Sequence, residues 1–228
     1  MNDDEVFRSW MADFEAIVQD VYVLFSTRLT FRDVADIFNK NARLRQTGWY
    51  LWDWMLLNYI ANVLMRIRRL VDSQQGTVSL KQLLHAIIKQ PAVITRGRRN
   101  AIHGPIESER IRELVDRGFT ETWVASRDAA HPENDHIDPA IVQADLTALE
   151  DQLEKVTEFA NRTVGHKTRV TPGDVTYGEL NAAFDAIESF LKKYYVLLLG
   201  GTLVQAEPTP QFNTHEVSRG SNRRNDER

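Results

Sequence analysis

The sequence of 228 residues predicts an all-α protein, folded as a bundle of about four long helices with shorter helices between them. Three observations support this fold class. Apolar residues recur at steps of three and four, helix-capping patterns open two segments, and no valine- and glycine-rich strand pattern occurs. The 43% hydrophobic content can bury a sizeable core. We expect one helical domain over residues 1–205 and a tail over residues 206–228.

The first quarter of the chain predicts two helices. Residues 6–25 carry apolar side chains on one helical face, and residues 30–39 predict a short second helix. The members of that face are Phe7, Trp10, Phe14, Ile17, Val18, Val21, Leu24 and Phe25. Residues 49–71 are apolar almost all round, which predicts the central and most buried helix. Its basic end, Arg66 to Arg69, suits the negative end of the helix dipole.

The middle of the chain alternates short helices with loops. Ser79 and Gln82 have the spacing of a capping box and open a helix to about Lys89, before Pro91. Residues 95–105 contain two glycines and a proline, so we expect a loop there. Residues 106–117 predict another helix, and residues 127–138 predict a polar loop.

The last part of the chain predicts two long helices. Asp138 and Pro139 form a good helix start, and a heptad-like apolar repeat extends this helix to Asn161 or Arg162. Residues 176–179 form a second capping box, and Gly200-Gly201 closes the final helix. Beyond Gln205 the composition predicts disorder.

Composition excludes several classes of protein. The net charge of −4 excludes a polycation, so a nucleic-acid site would need a local basic patch. The chain has no cysteine, which excludes disulfides and thiolate metal sites. The acidic first residues are unlike a signal peptide, and the apolar run at residues 194–199 is too short to span a bilayer. We expect a cytoplasmic protein without membrane contact.

The motifs of several enzyme classes are missing from the sequence, among them the P-loop, the dinucleotide glycine fingerprint, His-Glu-x-x-His and Gly-x-Ser-x-Gly. His131 and His136, with Glu133 and Asp135 between them, are a weak metal candidate, and a solvated loop is the commoner arrangement of such residues. We expect no cofactor and no metal.

Two segments place arginine near histidine, residues 96–103 and residues 161–166. A neutral histidine can take the proton of a ribose 2′-hydroxyl or protonate the leaving oxygen. An arginine can grip the scissile phosphate. Arginine that caps a helix end beside a histidine that fills a turn is the structural alternative, and short spacings of this kind are common by chance.

Residues 159–167, placed between a long helix and a capped final helix, resemble the signature region of HEPN domains, in particular the AbiU-type branch linked to bacterial abortive infection. Residues 68–72 and 78–84 are similar to the end of that family's central helix and the helix after it, and Tyr194-Tyr195 with Gly200-Gly201 fits its last helix. The resemblance covers about residues 5–205. The family arginine would fall at position 160, where this chain has Ala160.

The resemblance implies a site and a set of partners. His166 would be the acid or base, Asn161 would orient it and Arg162 would hold phosphate. The further residues expected to bind RNA or phosphate are Arg98, Arg99, His103 and Lys167. The spacing from Arg98 to His103 is closer to the family pattern than that from Arg162 to His166. The implied partners are RNA, an antitoxin-type protein and a second copy of the chain. In the dimer, each site would be shared between the two copies.

Three functions follow as alternatives. The first is a HEPN-like protein of a bacterial defence or toxin-type system that binds RNA or phosphate with weak or lost ribonuclease activity, because losing one charge-stabilising group costs about a hundred- to a thousand-fold in rate. The second is an active, metal-independent HEPN endoribonuclease. The third is a non-catalytic interaction bundle. For the dimer we expect an apolar surface made of residues 49–59 with Trp10 and Phe14.

Overall fold

The computed structural model describes residues 2–104, 108–124, 135–165 and 175–208. Eight α-helices occur in these ranges: α1 (Asp3–Lys40), α2 (Ala42–Thr47), α3 (Trp49–Leu70), α4 (Leu80–Lys89), α5 (Arg96–Ile102), α6 (Glu109–Trp123), α7 (Pro139–Ala160) and α8 (Tyr177–Leu199). The only strand-like pairing among the described residues is an isolated bridge between Thr95 and His136. The predicted all-α fold is confirmed.

The helix α1 runs unbroken through the point where we expected a division into two helices. The apolar face stops at Phe25, which suggested the break. In the structure the hydroxyls of Ser26 and Thr27 donate to the carbonyls of Tyr22 and Val23, one turn back, so these polar side chains are satisfied inside the helix. The helix therefore continues until Asn41, whose side chain caps α2.

The helix α3 is buried only in its second half, which corrects the expectation of a central, fully buried helix. Val63, Leu64, Ile67 and Leu70 enter the core. The first half packs against the later part of α1, where the ring of Phe31 stacks on Tyr59 with centroids 4.0 Å apart. Its outer side chains remain exposed.

The core lies between α1, the second half of α3, α4, α7 and α8. Trp10 and Phe14 belong to this core, 6% and 0% exposed, so they are not part of an apolar surface as we expected. The predicted starts of α4, α7 and α8 are confirmed: Ser79 accepts from the backbone of Gln82, Asp138 from Ala140, and Thr176 from Glu179 in a full capping box.

A partly buried polar group joins α7 to α8. Asp145 accepts hydrogen bonds from the hydroxyl of Tyr194 at 2.9 Å and from the ammonium of Lys193 at 2.6 Å. Burial, the charge of Asp145 and this hydrogen bond raise the pKa of Tyr194. The ring of Trp123, at the end of α6, packs edge-on against Tyr194 with centroids 5.2 Å apart. The group therefore fixes α6 as well.

Within residues 95–105, where we expected a loop, Arg96–Ile102 form a helix. Thr95 accepts from the backbone of Arg98 and caps α5, and Gly104 follows its end with a φ of 68°. The helix α6 begins and ends later than predicted, at Glu109 and Trp123. The two glycines and the proline suggested irregular chain, but the cap and the packing of α5 against α6 outweigh them.

The chain stays on the bundle just beyond the predicted domain boundary. Ala206 is buried and its amide donates to Glu188, while Glu207 pairs with Arg32 at 3.2 Å. Residues 209–228 lie outside the described part of the chain, so the disordered tail stays a prediction. None of the described helices has the length and apolar character required to cross a membrane.

Removing the carboxylate that joins α7 to α8 should destabilise the fold. Asp145→Ala leaves the hydroxyl of Tyr194 without its acceptor, which costs about 1–3 kcal/mol of unfolding free energy. Asp151→Ala changes an exposed carboxylate of the same helix and serves as the control. Urea unfolding followed by circular dichroism measures both, and equal midpoints for the two variants would contradict this role of Asp145.

Candidate functional site

The helix α5 is held at its start by two sets of contacts. Residues 135–137 run beside residues 94–96, with backbone bonds from Arg96 to Asp135 and from Ile137 to Ile94. Arg98 ties the helix to the start of α1: its guanidinium donates to Asp4 at 2.6 Å, to Asp3 at 3.3 Å and to the carbonyls of Ala92 and Val93.

These contacts account for the donor capacity of Arg98. The ion pair lowers the pKa of Asp4, first through its hydrogen bond with Arg98, and raises the pKa of Arg98. Arg98 was expected to bind phosphate, and this stays a prediction. In the structure its guanidinium is already paired with two carboxylates, so Arg98 serves to hold α5 in place.

Arg99 points the opposite way, into the protein. It is 6% exposed, and its guanidinium donates to the carbonyl of Val115 at 3.3 Å and to the side chain of Asn100 at 3.5 Å. Asn100 in turn donates to Asp116 at 2.6 Å. Burial lowers the pKa of Arg99, and the more distant charge of Asp116 opposes this.

Arg99 therefore differs from its neighbours Arg96 and Arg98, which both form ion pairs. The ion pairs found in the described ranges include Arg98, Arg96 and Arg162, but none includes Arg99. A cation taken out of water without a direct counter-ion is costly for the fold. Such a group is typical of a site that receives an anion.

His103 lies one helical turn after Arg99, at the end of α5, so both side chains share a face of the helix. Its ring packs against Gly200, the left-handed residue that closes α8: a Cβ at Gly200 would lie 3.1 Å from Cε1 and 3.3 Å from Nδ1 of the ring. The Nε2 atom is enclosed and has no hydrogen-bond partner among the residues the structure describes. Burial, then Arg99, lowers the pKa of His103.

We call Arg99, Asn100 and His103 the α5 cluster. It combines a desolvated cation with a histidine kept in its neutral form near pH 7. A neutral imidazole can accept a proton, and a guanidinium can bind two oxygens of a phosphate. The arrangement can therefore hold an oxyanion and exchange a proton beside it.

The end of α7, where the resemblance placed the site, has different surroundings. Arg162 is ion-paired with Glu158 one turn back. Asn161 lines a cleft of about 350 Å³ whose charged side chains are two cations and four carboxylates: Arg68, Lys81, Asp72, Glu150, Asp151 and Glu154. An excess of carboxylates disfavours phosphate. His166 and Lys167 lie outside the described residues, so their roles stay predictions.

Only part of the candidate metal site at His131 and His136 lies in the described chain. His131 and Glu133 lie outside the described ranges. The described His136 uses Nδ1 in a 2.9 Å contact with the carbonyl of Ile137. The described part of the chain holds no group of three histidine or acidic side chains placed to bind a metal ion.

Sequence reasoning found Arg99 and His103 but neither Asn100 nor the arrangement of the cluster. A spacing of four between Arg99 and His103 places both on one helical face, and this signal was missed because a loop was expected there. Asp116 and Gly200 complete the site from other helices. Their places follow from tertiary packing, for which the sequence carries no local pattern.

The family model described as AbiU2, a HEPN-type domain, matches residues 39–218 of this chain. The chain belongs to the AbiU2 family of HEPN domains. The resemblance seen in the sequence is thereby confirmed at the level of the family. The matched range of this AbiU2-family chain runs from the end of α1 through α8, so it contains both the α5 cluster and the end of α7. Comparisons with curated proteins and with solved structures each found no match.

The lowered pKa of His103 predicts a pH dependence of stability in this AbiU2-family chain. Between the folded and unfolded pKa values the unfolded chain binds the proton more readily, so acid favours unfolding. The stability that neutral His103 contributes is present above about pH 6.5 and is lost as the pH falls through the folded pKa.

His103→Gln should therefore show a smaller fall in melting temperature between pH 7.5 and pH 5 than the wild type, by differential scanning fluorimetry. His85→Gln, on the surface of α4, is the matched control and should follow the wild type. A His103→Gln curve that parallels the wild type would contradict the assignment.

Proposed function

We propose that this AbiU2-family protein binds RNA through a phosphate at the α5 cluster, has weak metal-independent ribonuclease activity there, and acts in bacterial defence of the abortive-infection type. The observation that carries the proposal is the buried Arg99, with no carboxylate paired to it among the described residues, one turn from a neutral His103. Membership of a HEPN family supports RNA as the source of the phosphate.

The proposed reaction is a transesterification within RNA. Arg99 binds the non-bridging oxygens of the phosphate and offsets the charge that develops on them. Neutral His103 accepts the proton of the ribose 2′-hydroxyl. The 2′-oxygen forms a bond to phosphorus, and the bond from phosphorus to the 5′-oxygen breaks. The products are a 2′,3′-cyclic phosphate and a 5′-hydroxyl, whose oxygen takes a proton from water.

The enclosure of His103 supports a low rate. Its Nε2 atom is out of contact with solvent, and Gly200 packs against the Nδ1 side of the ring. A ribose hydroxyl reaches the ring only after neighbouring atoms move, and this movement adds to the barrier. Arg99 is also buried, but it lines a surface groove, so a phosphate reaches its guanidinium with less movement than a ribose hydroxyl needs to reach His103. Binding is therefore the stronger of the two activities.

Replacing Arg99 should weaken RNA binding. Arg99→Gln removes a charged hydrogen-bond donor worth about 1.5–3 kcal/mol, which is a loss of affinity of roughly ten-fold or more. The slope of binding against salt should fall by about 0.7, as expected for one phosphate contact on a single strand. Fluorescence anisotropy with a labelled single-stranded RNA, over a salt series, measures both.

Matched variants separate the α5 cluster from the end of α7. Arg162→Gln removes the cation of the alternative site and should bind as the wild type does. Arg99→Lys keeps the charge but loses the planar fork, so it should bind with intermediate affinity. His103→Gln should keep RNA binding and lose the cyclic-phosphate product. A loss in Arg162→Gln with Arg99→Gln unaffected would place the phosphate at the end of α7 and reject the proposal.

A second proposal concerns the exposed side of α3. We propose that two copies of the chain pair through the outer face, defined by Trp49, Tyr50, Leu51, Trp54 and Leu57, which are 50–92% exposed. Tyr50, Trp54 and Leu57 follow the four-three spacing of a helix-pairing seam. These five side chains offer on the order of 500–700 Å², close to the ~800 Å² that each partner gives to a standard interface.

Placing a charge on the outer face should separate the two copies. Leu57→Glu buries a carboxylate at the proposed interface, and the pair should dissociate at micromolar concentration. Val204→Glu, at an apolar residue 80% exposed outside that face, should leave the pair intact. Size-exclusion chromatography with light scattering measures the mass, and a monomeric wild type would reject the pairing. An antitoxin-type partner stays a prediction from the family resemblance.

A further inference from the structure

A groove of about 400 Å³ lies between α6 and α8, next to the α5 cluster. Its lining includes Arg99 from the cluster, Leu114, Gly118 and Trp123 from α6, and Lys193 from α8. The volume is in the range of small-molecule sites, which are mostly apolar with a few convergent polar groups. Because Arg99 is shared, a ligand in the groove can also reach the cluster.

The apolar side of the groove is incompletely covered. One stripe of α6 supplies it: Phe119 and Trp123, toward the end of the helix, are buried, while Leu114 is 52% exposed and Ile111 is 53% exposed. The cations are unequal, because Lys193 is held by Asp145 whereas the contacts described for Arg99 are to neutral oxygens. The groove therefore suits a ligand with a flat apolar part and one anionic group at Arg99.

Gly118 is the least expected residue of the groove. It lies inside α6, where glycine costs about 1 kcal/mol relative to alanine. A Cβ at this position would meet no atom within 4 Å, so no packing requirement explains the glycine. Its absence of a side chain keeps the groove open beside the backbone of α6.

We propose that this groove holds the nucleobase next to the phosphate bound by Arg99. The proposal rests on the proposed function and deepens it: the bound RNA would turn one base out of its stack to lie against Leu114 and the backbone at Gly118. An unstacked base offers flat apolar faces and polar edges. The hydroxyl of Thr122 and the ammonium of Lys193, both in the lining, supply hydrogen-bond donors for those edges.

A nucleotide fits these observations better than a helix of a partner protein. A docked helix needs apolar anchor sites spaced for positions i, i+3, i+4 and i+7. This groove instead offers a cation, Arg99, whose described contacts include no carboxylate, while its other cation, Lys193, is held by Asp145. The combination of a compact apolar site with one anion position is that of a nucleoside monophosphate.

The test compares ligands that differ only in the base. Isothermal titration of the full chain with adenosine 5′-monophosphate, uridine 5′-monophosphate and ribose 5-phosphate measures the contribution of the base. We expect the two nucleotides to bind at least ten-fold more tightly than ribose 5-phosphate. Gly118→Leu fills the groove with a good helix former, and it should reduce this difference to less than two-fold while ribose 5-phosphate binds as before.

Gly178→Leu, at an exposed glycine of α8 outside the groove, is the matched control: it should keep the preference, because a Cβ there meets only the hydroxyl of Thr176, at 3.8 Å. Equal binding of nucleotides and ribose 5-phosphate by the wild type, or an unchanged preference in Gly118→Leu, would overturn the base site. A groove that takes a partner helix would give the same two results. If Arg99→Gln still weakens RNA binding in that case, the proposed function holds and only the base site is rejected. If no phosphate ligand binds and Arg99→Gln has no effect, both fail.

Discussion

The hydrogen-bonded group of Asp145, Lys193 and Tyr194 is the interaction on which the rest of the structure depends. It joins α7 to α8 in the core, and Trp123 packs on the ring of Tyr194. The carbonyl of Trp123 accepts from the amide of Asp138 at 2.7 Å, so the end of α6 and the start of α7 are fixed at the same place. The buried hydroxyl of Tyr194 needs its acceptor Asp145, and this requirement favours one arrangement of the three helices.

The α5 cluster depends on that arrangement. Arg99 takes its backbone acceptor from α6, and His103 packs against Gly200, the residue that follows α8. Arg98 contributes from the other side by holding α5 to the start of α1. Two adjacent arginines thus have opposite roles. The guanidinium of Arg98 donates to groups that hold the fold together. The guanidinium of Arg99 is buried, and its described acceptors are neutral. The free energy lost by burying the charge of Arg99 is offset by the packing of the rest of the core.

How far the sequence predicts this protein depends on whether a signal is local. Caps and apolar periodicity are local, and α4, α7 and α8 begin where Ser79, Asp138 and Thr176 indicate. The burial of a helix is not local: the first half of α3 is as apolar as a core helix, but no neighbour covers its outer face.

The site follows the same rule. Arginine and histidine at a helical spacing are visible in the sequence, but the spacing has meaning only once residues 96–102 are known to be a helix. The contact of His103 with Gly200 joins positions nearly a hundred residues apart, and only the packed bundle creates it. The resemblance placed the site at the end of α7, yet the cleft there carries an excess of carboxylates that no short motif reveals.

The length of α1 sets the distance between the α5 cluster and the outer face of α3. At ~1.5 Å per residue its 38 residues extend about 57 Å. The α5 cluster lies near Asp3 and Asp4 at one end, and the outer face of α3 lies near Phe38 at the other. Two copies joined through that face would carry their clusters at opposite ends of the pair, and each cluster would be complete in its own chain. A short RNA would occupy one cluster, while a long RNA that bridged both would gain avidity from the raised effective concentration of its second segment.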